Sequence, residues 1–280
     1  MMGSVTQLSA SRQQIRCADA VLLLVVPSFL FGIYAWLPAG VSSRLVFTYG
    51  DPTLTTVWTA AAIHDSPAHL TSNLGWYGLV VGAAYLVYVM WGRRRLFWLL
   101  YGALLAVAPL TTVAIDYWLL YQRWGLVGPD SIAFGFSGVV SAFGGLLVVG
   151  LFGVIAEWYT WPMSAATTVA FVTSGVGVAL YQSPLLARPS TVVPVAGILV
   201  AIGFVSLRWW DRDLTVRRWL SAHRPAIVLA GTCGVVISAL VAGMFSIEPA
   251  SGGRFPNVIA HGTGFVTGVC VAGGGLLSMS

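Results

Sequence analysis

Residues 132–155 read IAFGFSGVVSAFGGLLVVGLFGVI, a run with no charge and no polar side chain except Ser137 and Ser141. A bilayer-spanning helix needs about 20 mostly apolar residues, so the run predicts a membrane span over Ile132–Ile155. Ser137 stands between glycines near its start, in Gly135-Phe136-Ser137-Gly138. Ser137, Ser141 and Gly145 recur at intervals of four and give the helix a narrow face of small residues. Such a face lets a second helix approach closely.

The rest of the chain has the same character. Of 280 residues, 58% are hydrophobic and only 8% charged, with a mean hydropathy of +0.85. A soluble domain needs far more charge to cover its surface, so the expectation is an all-α polytopic membrane protein, one membrane-embedded domain over 1–280. About eight spans are predicted: Asp19–Leu37, Ala68–Met90, Leu96–Leu120, Ile132–Ile155, Ala165–Tyr181, Val192–Trp209, Ala226–Phe245 and Val258–Leu277. Arg12 and Arg16 precede the first run, and no convincing small-residue cleavage site follows, so that run is read as a retained span. Between the first two spans, Pro38 to Pro67 carries the turn signal Gly50-Asp51-Pro52 but is too apolar for a solvated loop. It is expected at the membrane interface, held by Trp58.

The net charge is +5, from 14 basic residues that are all arginine against 9 acids. The arginines lie between spans, which fits membrane orientation and gives no reason to expect nucleic acid. Arg12, Arg16, Arg93, Arg94, Arg95, Arg208, Arg212, Arg217, Arg218 and Arg224 fall on one side; Arg44, Arg123, Arg188 and Arg254 fall on the other. The richer side should be cytoplasmic, with both termini inside and the protein in the cell membrane. Spans two, four and eight then run inward from the outer face. His69 and Asn73, Ser137, and His261 each lie in the first two turns of one of those spans, at similar depth.

Other candidates have plainer readings. Cys17, Cys233 and Cys270 lack disulfide or zinc spacing and are read as buried small hydrophobes. Asp19 and Glu157 are read as interface residues. Asp116, an acid inside the third span, is expected to meet a Tyr or Trp donor or to be exposed, with orientation of a histidine as the alternative.

His69 and Asn73 are four apart and share one helix face. They either cross-link helices or serve a site, because unpaired donors in hydrocarbon are costly. His64 lies five residues before His69. In the last span, His261, Gly264 and Gly268 form a small-residue face that matches the Ser137 face and could bring His261 to the Ser137 hydroxyl. With no lysine, no HExxH and no pair of acids deep in facing spans, the residues supply Ser–His chemistry and call for no metal or cofactor.

The order HxxxxHLxxN in His64–Asn73, GxSG in Gly135–Gly138 and AHxxGxxxG in Ala260–Gly268, on three apolar helices, resembles the rhomboid family of intramembrane serine proteases. The resemblance covers roughly Thr55–Ile155 and Pro256–Leu277. It implies a rhomboid-like helical bundle and a Ser137–His261 dyad. His69, Asn73 and the Ser137 N–H would be oxyanion donors, and His64, Gly135, Gly138, Gly264 and Gly268 would support them. Substrates would be transmembrane proteins cut near the outer face. Three departures stand out. Thr55 and Thr56 occupy the region where a Trp-Arg pair is expected. Ser141 replaces an aromatic residue expected four after the serine, with Phe143 the nearest that could take its place. The region of about 160–250 carries three spans where the family core has one. The competing readings are a rhomboid-like pseudoprotease that binds client helices without cutting, and a small transporter.

Overall fold

The computed structural model describes residues 2–182, 218, 221–244 and 258–278, with side chains in the first stretch described from Cys17 to Ala179. Its long helices are α1 (Met2–Trp36), α4 (Pro67–Met90), α5 (Arg94–Asp116), α6 (Ser137–Trp158), α7 (Trp161–Gln182), α8 (Arg224–Met244) and α9 (Val258–Leu277). Two short helices, α2 (Ala39–Ser42) and α3 (Leu54–Thr59), lie between α1 and α4. Strands β1 (Phe47–Thr48) and β2 (Ile132–Ala133) pair antiparallel, Phe47 opposite Ala133. Among the described residues, seven helices are long and apolar enough to cross a membrane. The chain is an all-α polytopic membrane protein. The expected span Val192–Trp209 lies outside the described residues.

α6 is the central helix. It is apolar all round, with a mean hydropathy of 2.4 over its best window and 83% of that window buried, the behaviour of a helix enclosed by other helices. It packs against α4, α5, α7, α8 and most extensively α9. Its glycines set the distances of approach. A methyl group added at Gly150 would lie 2.4 Å from the Tyr88 ring, and one at Gly153 would lie 2.1 Å from Trp91, so both aromatics rest on bare backbone. Those contacts and the one between Gly135 and His69 align α4 parallel to α6. α9 is also parallel to α6, with Gly264 on Gly138 and Gly268 on Ala142. The three helices that carry the sequence motifs therefore run in the same direction.

α7 returns antiparallel to α6 after a two-residue turn, tied by Ser164 Oγ–H to the Phe152 carbonyl. α8 is parallel to α7, with Gly234 on Phe171 and Gly175 on Ser238 and Val241.

Several expectations are corrected. The fourth span begins at Ser137, not Ile132: Ile132 and Ala133 are spent on β2, and Gly135 turns the chain into the helix. Asp19, near the start of the first span, is 1% exposed. Its carboxylate accepts both Arg94 Nε–H at 2.6 Å and Arg94 Nη2–H, with Tyr85 Oη–H at 2.6 Å and Trp98 Nε1–H at 3.1 Å. This cluster fastens α1 to α4 and α5, and pairing of this kind is what makes a buried carboxylate tolerable. Glu157 is exposed and accepts from Trp91 Nε1–H at 2.7 Å. Of the cysteines only Cys233 is buried; Cys17 and Cys270 are exposed on their helices.

The Pro38–Pro67 segment is structured. β1 and β2 close over a small core of Phe47, Tyr49 and Ala60, against which Val113, Tyr117 and Tyr121 pack. Thr53 and Thr56 form a reciprocal capping box at the start of α3. Trp58 is half-exposed and stands apart from that core. α5 continues into a π-helical turn over Tyr117–Arg123, which widens the helix where these aromatics gather.

Candidate functional site

The site is built at the ends where α4, α6 and α9 begin. Ser66 caps α4, its Oγ accepting the His69 N–H at 3.2 Å, and Pro67 opens the first turn. His69 is thereby fixed in that turn, with Asn73 one turn deeper and buried. Asn73 Nδ2–H donates to His64 Nε2 at 3.0 Å, so that His64 nitrogen is an acceptor. His64 lies ahead of the helix and is buried. Burial, reinforced by His69, pushes its imidazole down to about 4, so it stays neutral.

The second wall is the turn into α6. Gly135 has φ +109°, a left-handed conformation that favours glycine. A methyl group there would also lie 2.8 Å from His69 Cε1, 2.9 Å from Nε2 and 3.9 Å from Asn73 Nδ2. The His69 ring therefore rests against bare Gly135 backbone, while the Gly135 N–H donates to the Ala60 carbonyl at 2.9 Å. Val139 and Val140 N–H both donate to the Phe136 carbonyl. The N–H groups of Ser137 and Gly138 come before that ladder, at the positive end of the helix. Ser137, half-buried, is the first residue of α6.

The third wall is α9. A methyl group at Gly264 would lie 2.0 Å from the Gly138 carbonyl oxygen, and one at Gly268 would lie 1.9 Å from that of Ala142. Gly145 in turn faces the Phe265 carbonyl at 2.3 Å, measured the same way. The backbones of α6 and α9 thus touch over about two turns, and His261, one turn before Gly264, is held at the level of the turn into α6.

His69, Asn73, Ser137, Gly135, Gly138 and His261 line one cavity of about 1130 Å³. His64 sits behind Asn73, and Gly264 and Gly268 serve the helix contact, so these three support the cavity without lining it. Trp76 on α4 and Leu240 and Gly243 on α8 form another part of the wall. Here a hydroxyl, two histidines, a carboxamide and helix-terminal N–H groups meet in a space large enough for several residues of an extended peptide. That combination can deprotonate a hydroxyl and bind an oxyanion.

The structure also disposes of several alternatives. Ser141 is fully buried, and its hydroxyl donates to the Ser137 carbonyl at 2.8 Å. Phe143 does not stand in for the missing aromatic, because it faces the core, stacked on Tyr101 at 5.2 Å. Asp116 lines the cavity and accepts from Tyr49 Oη–H at 3.4 Å, the tyrosine partnership expected for it. Burial and that carboxylate raise the Tyr49 hydroxyl well above its usual range.

Sequence reasoning missed Asp65. Its Oδ1 lies 3.1 Å from His69 Nδ1, and the i,i+4 spacing with His69 is the signal that could have found it. Among the described residues no cluster of ligands suits a metal ion. No family model, curated protein or solved structure matches the chain.

Proposed function

We propose that this protein is an intramembrane serine endopeptidase with a rhomboid-like fold, which cleaves transmembrane proteins near the outer membrane face through a Ser137–His261 dyad. The observation that carries the reading is the shared cavity. Residues from three helix starts, far apart in sequence, line one space, and the parallel α6–α9 backbone contact holds two of those starts at one level.

In this mechanism His261 accepts the Ser137 hydroxyl proton as Oγ attacks the scissile carbonyl carbon. The carbonyl electron pair moves onto oxygen, and the oxyanion is met by His69, Asn73 and the Ser137 N–H at the positive end of α6. Collapse breaks the C–N bond, and the His261 imidazolium protonates the departing amine. Water then attacks the ester with His261 again as base, releasing the acid and restoring the Ser137 hydroxyl. The cavity admits that water at a depth where lipid would exclude it.

A rhomboid-like pseudoprotease, binding client helices without cutting, is the second reading. It is favoured by two observations: Thr56 is used to cap α3, and Ser141 lies where an aromatic neighbour of the histidine is expected.

A serine-directed fluorophosphonate separates the two. The protease should be labelled once, at Ser137, with labelling lost in Ser137→Ala and reduced by orders of magnitude in His261→Ala, because the two act as a unit. Ser141→Ala should keep most of it. Labelling indifferent to His261 would sink the dyad.

A further inference from the structure

The two histidines at the head of α4 stand 5.0 Å apart, ring centre to ring centre, in different surroundings. His64 is buried, and its Nε2 accepts from Asn73. His69 keeps 31% of its side chain exposed and turns its two ring edges in different directions. Nδ1 meets Asp65 Oδ1, while Nε2 and Cε1 lie over Gly135, two residues before Ser137.

Proton bookkeeping follows from that geometry. An ionised carboxylate can only accept, so His69 Nδ1 must carry a proton to bond it. Neutral imidazole has one N–H, so Nε2 is then bare and can only accept. It becomes a donor only when the ring is doubly protonated. We infer that Asp65 is a positioning residue which, by holding the Nδ1 proton of His69, makes the imidazolium the form that donates from Nε2 towards the reacting carbonyl at Ser137.

This rests on the protease reading, and it explains why a carboxylate stands here. A cation in the first turn of a helix opposes the helix dipole, and His69 is in the first turn of α4. Asp65, just before the Ser66 cap, supplies the opposing charge at contact distance. His64, held near 4 by burial and by repulsion from His69, does not compete for the proton. The Phe134 ring, 5.9 Å away, is neutral. The other titratable side chains on the cavity wall are Tyr49, Asp116, Asp130 and His261. Of these, Asp116 is taken up by the Tyr49 hydroxyl. His261 must be neutral to act as base.

The test uses the full-length chain and Asp65→Ala, a change at a partly exposed side chain ahead of the helix. The rate of fluorophosphonate labelling at Ser137 is followed against pH. The native protein should lose rate on the alkaline side. In Asp65→Ala the neutral Nε2–H tautomer becomes available, so the alkaline limb flattens while the rate near neutrality falls about tenfold. Asp65→Glu should restore both. An equal reduction at every pH, or no change, would overturn the inference. Imidazole ¹⁵N resonances of His69 in Ser137→Ala give the second measurement. At alkaline pH they should show a protonated Nδ1 and a bare Nε2, shifting towards the Nε2–H tautomer when Asp65 is also alanine. That signature with an unreactive Ser137 would reject the protease and leave the pairing standing. A reactive Ser137 without the signature would reject the pairing alone.

Discussion

At His64 the imidazole is held neutral by burial and by the neighbouring His69, with its proton affinity pushed from the ordinary 6.5 to about 4. In the unfolded chain the same ring takes a proton near 6.5. Between those values the unfolded state binds the proton that the native state refuses, so stability falls as pH drops from 6.5 towards 4 and levels off below. The slope is at most about 1.4 kcal/mol per pH unit. His64→Gln should remove this dependence, as read by unfolding in mixed micelles across that window; an unchanged slope would mean that another group titrates. Gly135 makes a second prediction at this scale. Gly135→Ala meets the His69 ring at under 3 Å and a backbone with φ +109°. It should displace His69 and reduce Ser137 labelling by about 10²-fold or more, the cost typical of one lost oxyanion donor. Labelling at the native rate would remove His69 from the reaction.

The α6–α9 pair shows how far the elements were legible. Val258–Leu277 is found as expected, because a run of apolar and small residues bounded by polar ones reads clearly. The GxxxG spacing of Gly264 and Gly268 foretold the close contact that the structure has. The start of α6 was misread by five residues, since Ile132, Ala133 and Phe134 are apolar in a strand as in a helix and periodicity cannot separate them. The strand pairing depends on Phe47, far away in the chain, which no local pattern announces. The partner of Asp19 escapes notice for the same reason: Arg94 lies 75 residues on. His69, Asn73, Ser137 and His261 stand out by their motifs and line one cavity, whereas Asp65 lies outside the motif positions. The helix contact is open to direct test. Gly268→Ala drives a methyl group to 1.9 Å from the Ala142 carbonyl oxygen, while Gly273→Ala meets open space. The first should destabilise the protein by about 1–3 kcal/mol or more and abolish Ser137 labelling; the second should do neither. Equal tolerance of both would show that the backbones are not in contact.

For the molecule as a whole, the arginines and the cavity agree on direction. Arg93, Arg94, Arg95 and Arg224 lie at the helix ends away from the cavity, and Arg44 and Arg123 lie on its side. Under the charge rule the cavity faces out, so reporters fused at Gly128 and in the Arg93–Arg95 turn should lie on opposite sides, Gly128 outside. A cytoplasmic Gly128 would reverse the proposed face of cleavage. The parallel contact of α6 and α9 puts the start of the His261 helix at the same end as Ser137. The proposed reaction is tested most directly on the intact protein in its solvent. The purified chain is reconstituted in lipid vesicles with a single-span substrate protein, and the products are sized and sequenced. One cut is expected within the outer part of the substrate span, absent in both Ser137→Ala and His261→Ala. A substrate bound by the native protein but left whole, or cut equally by Ser137→Ala, would contradict it.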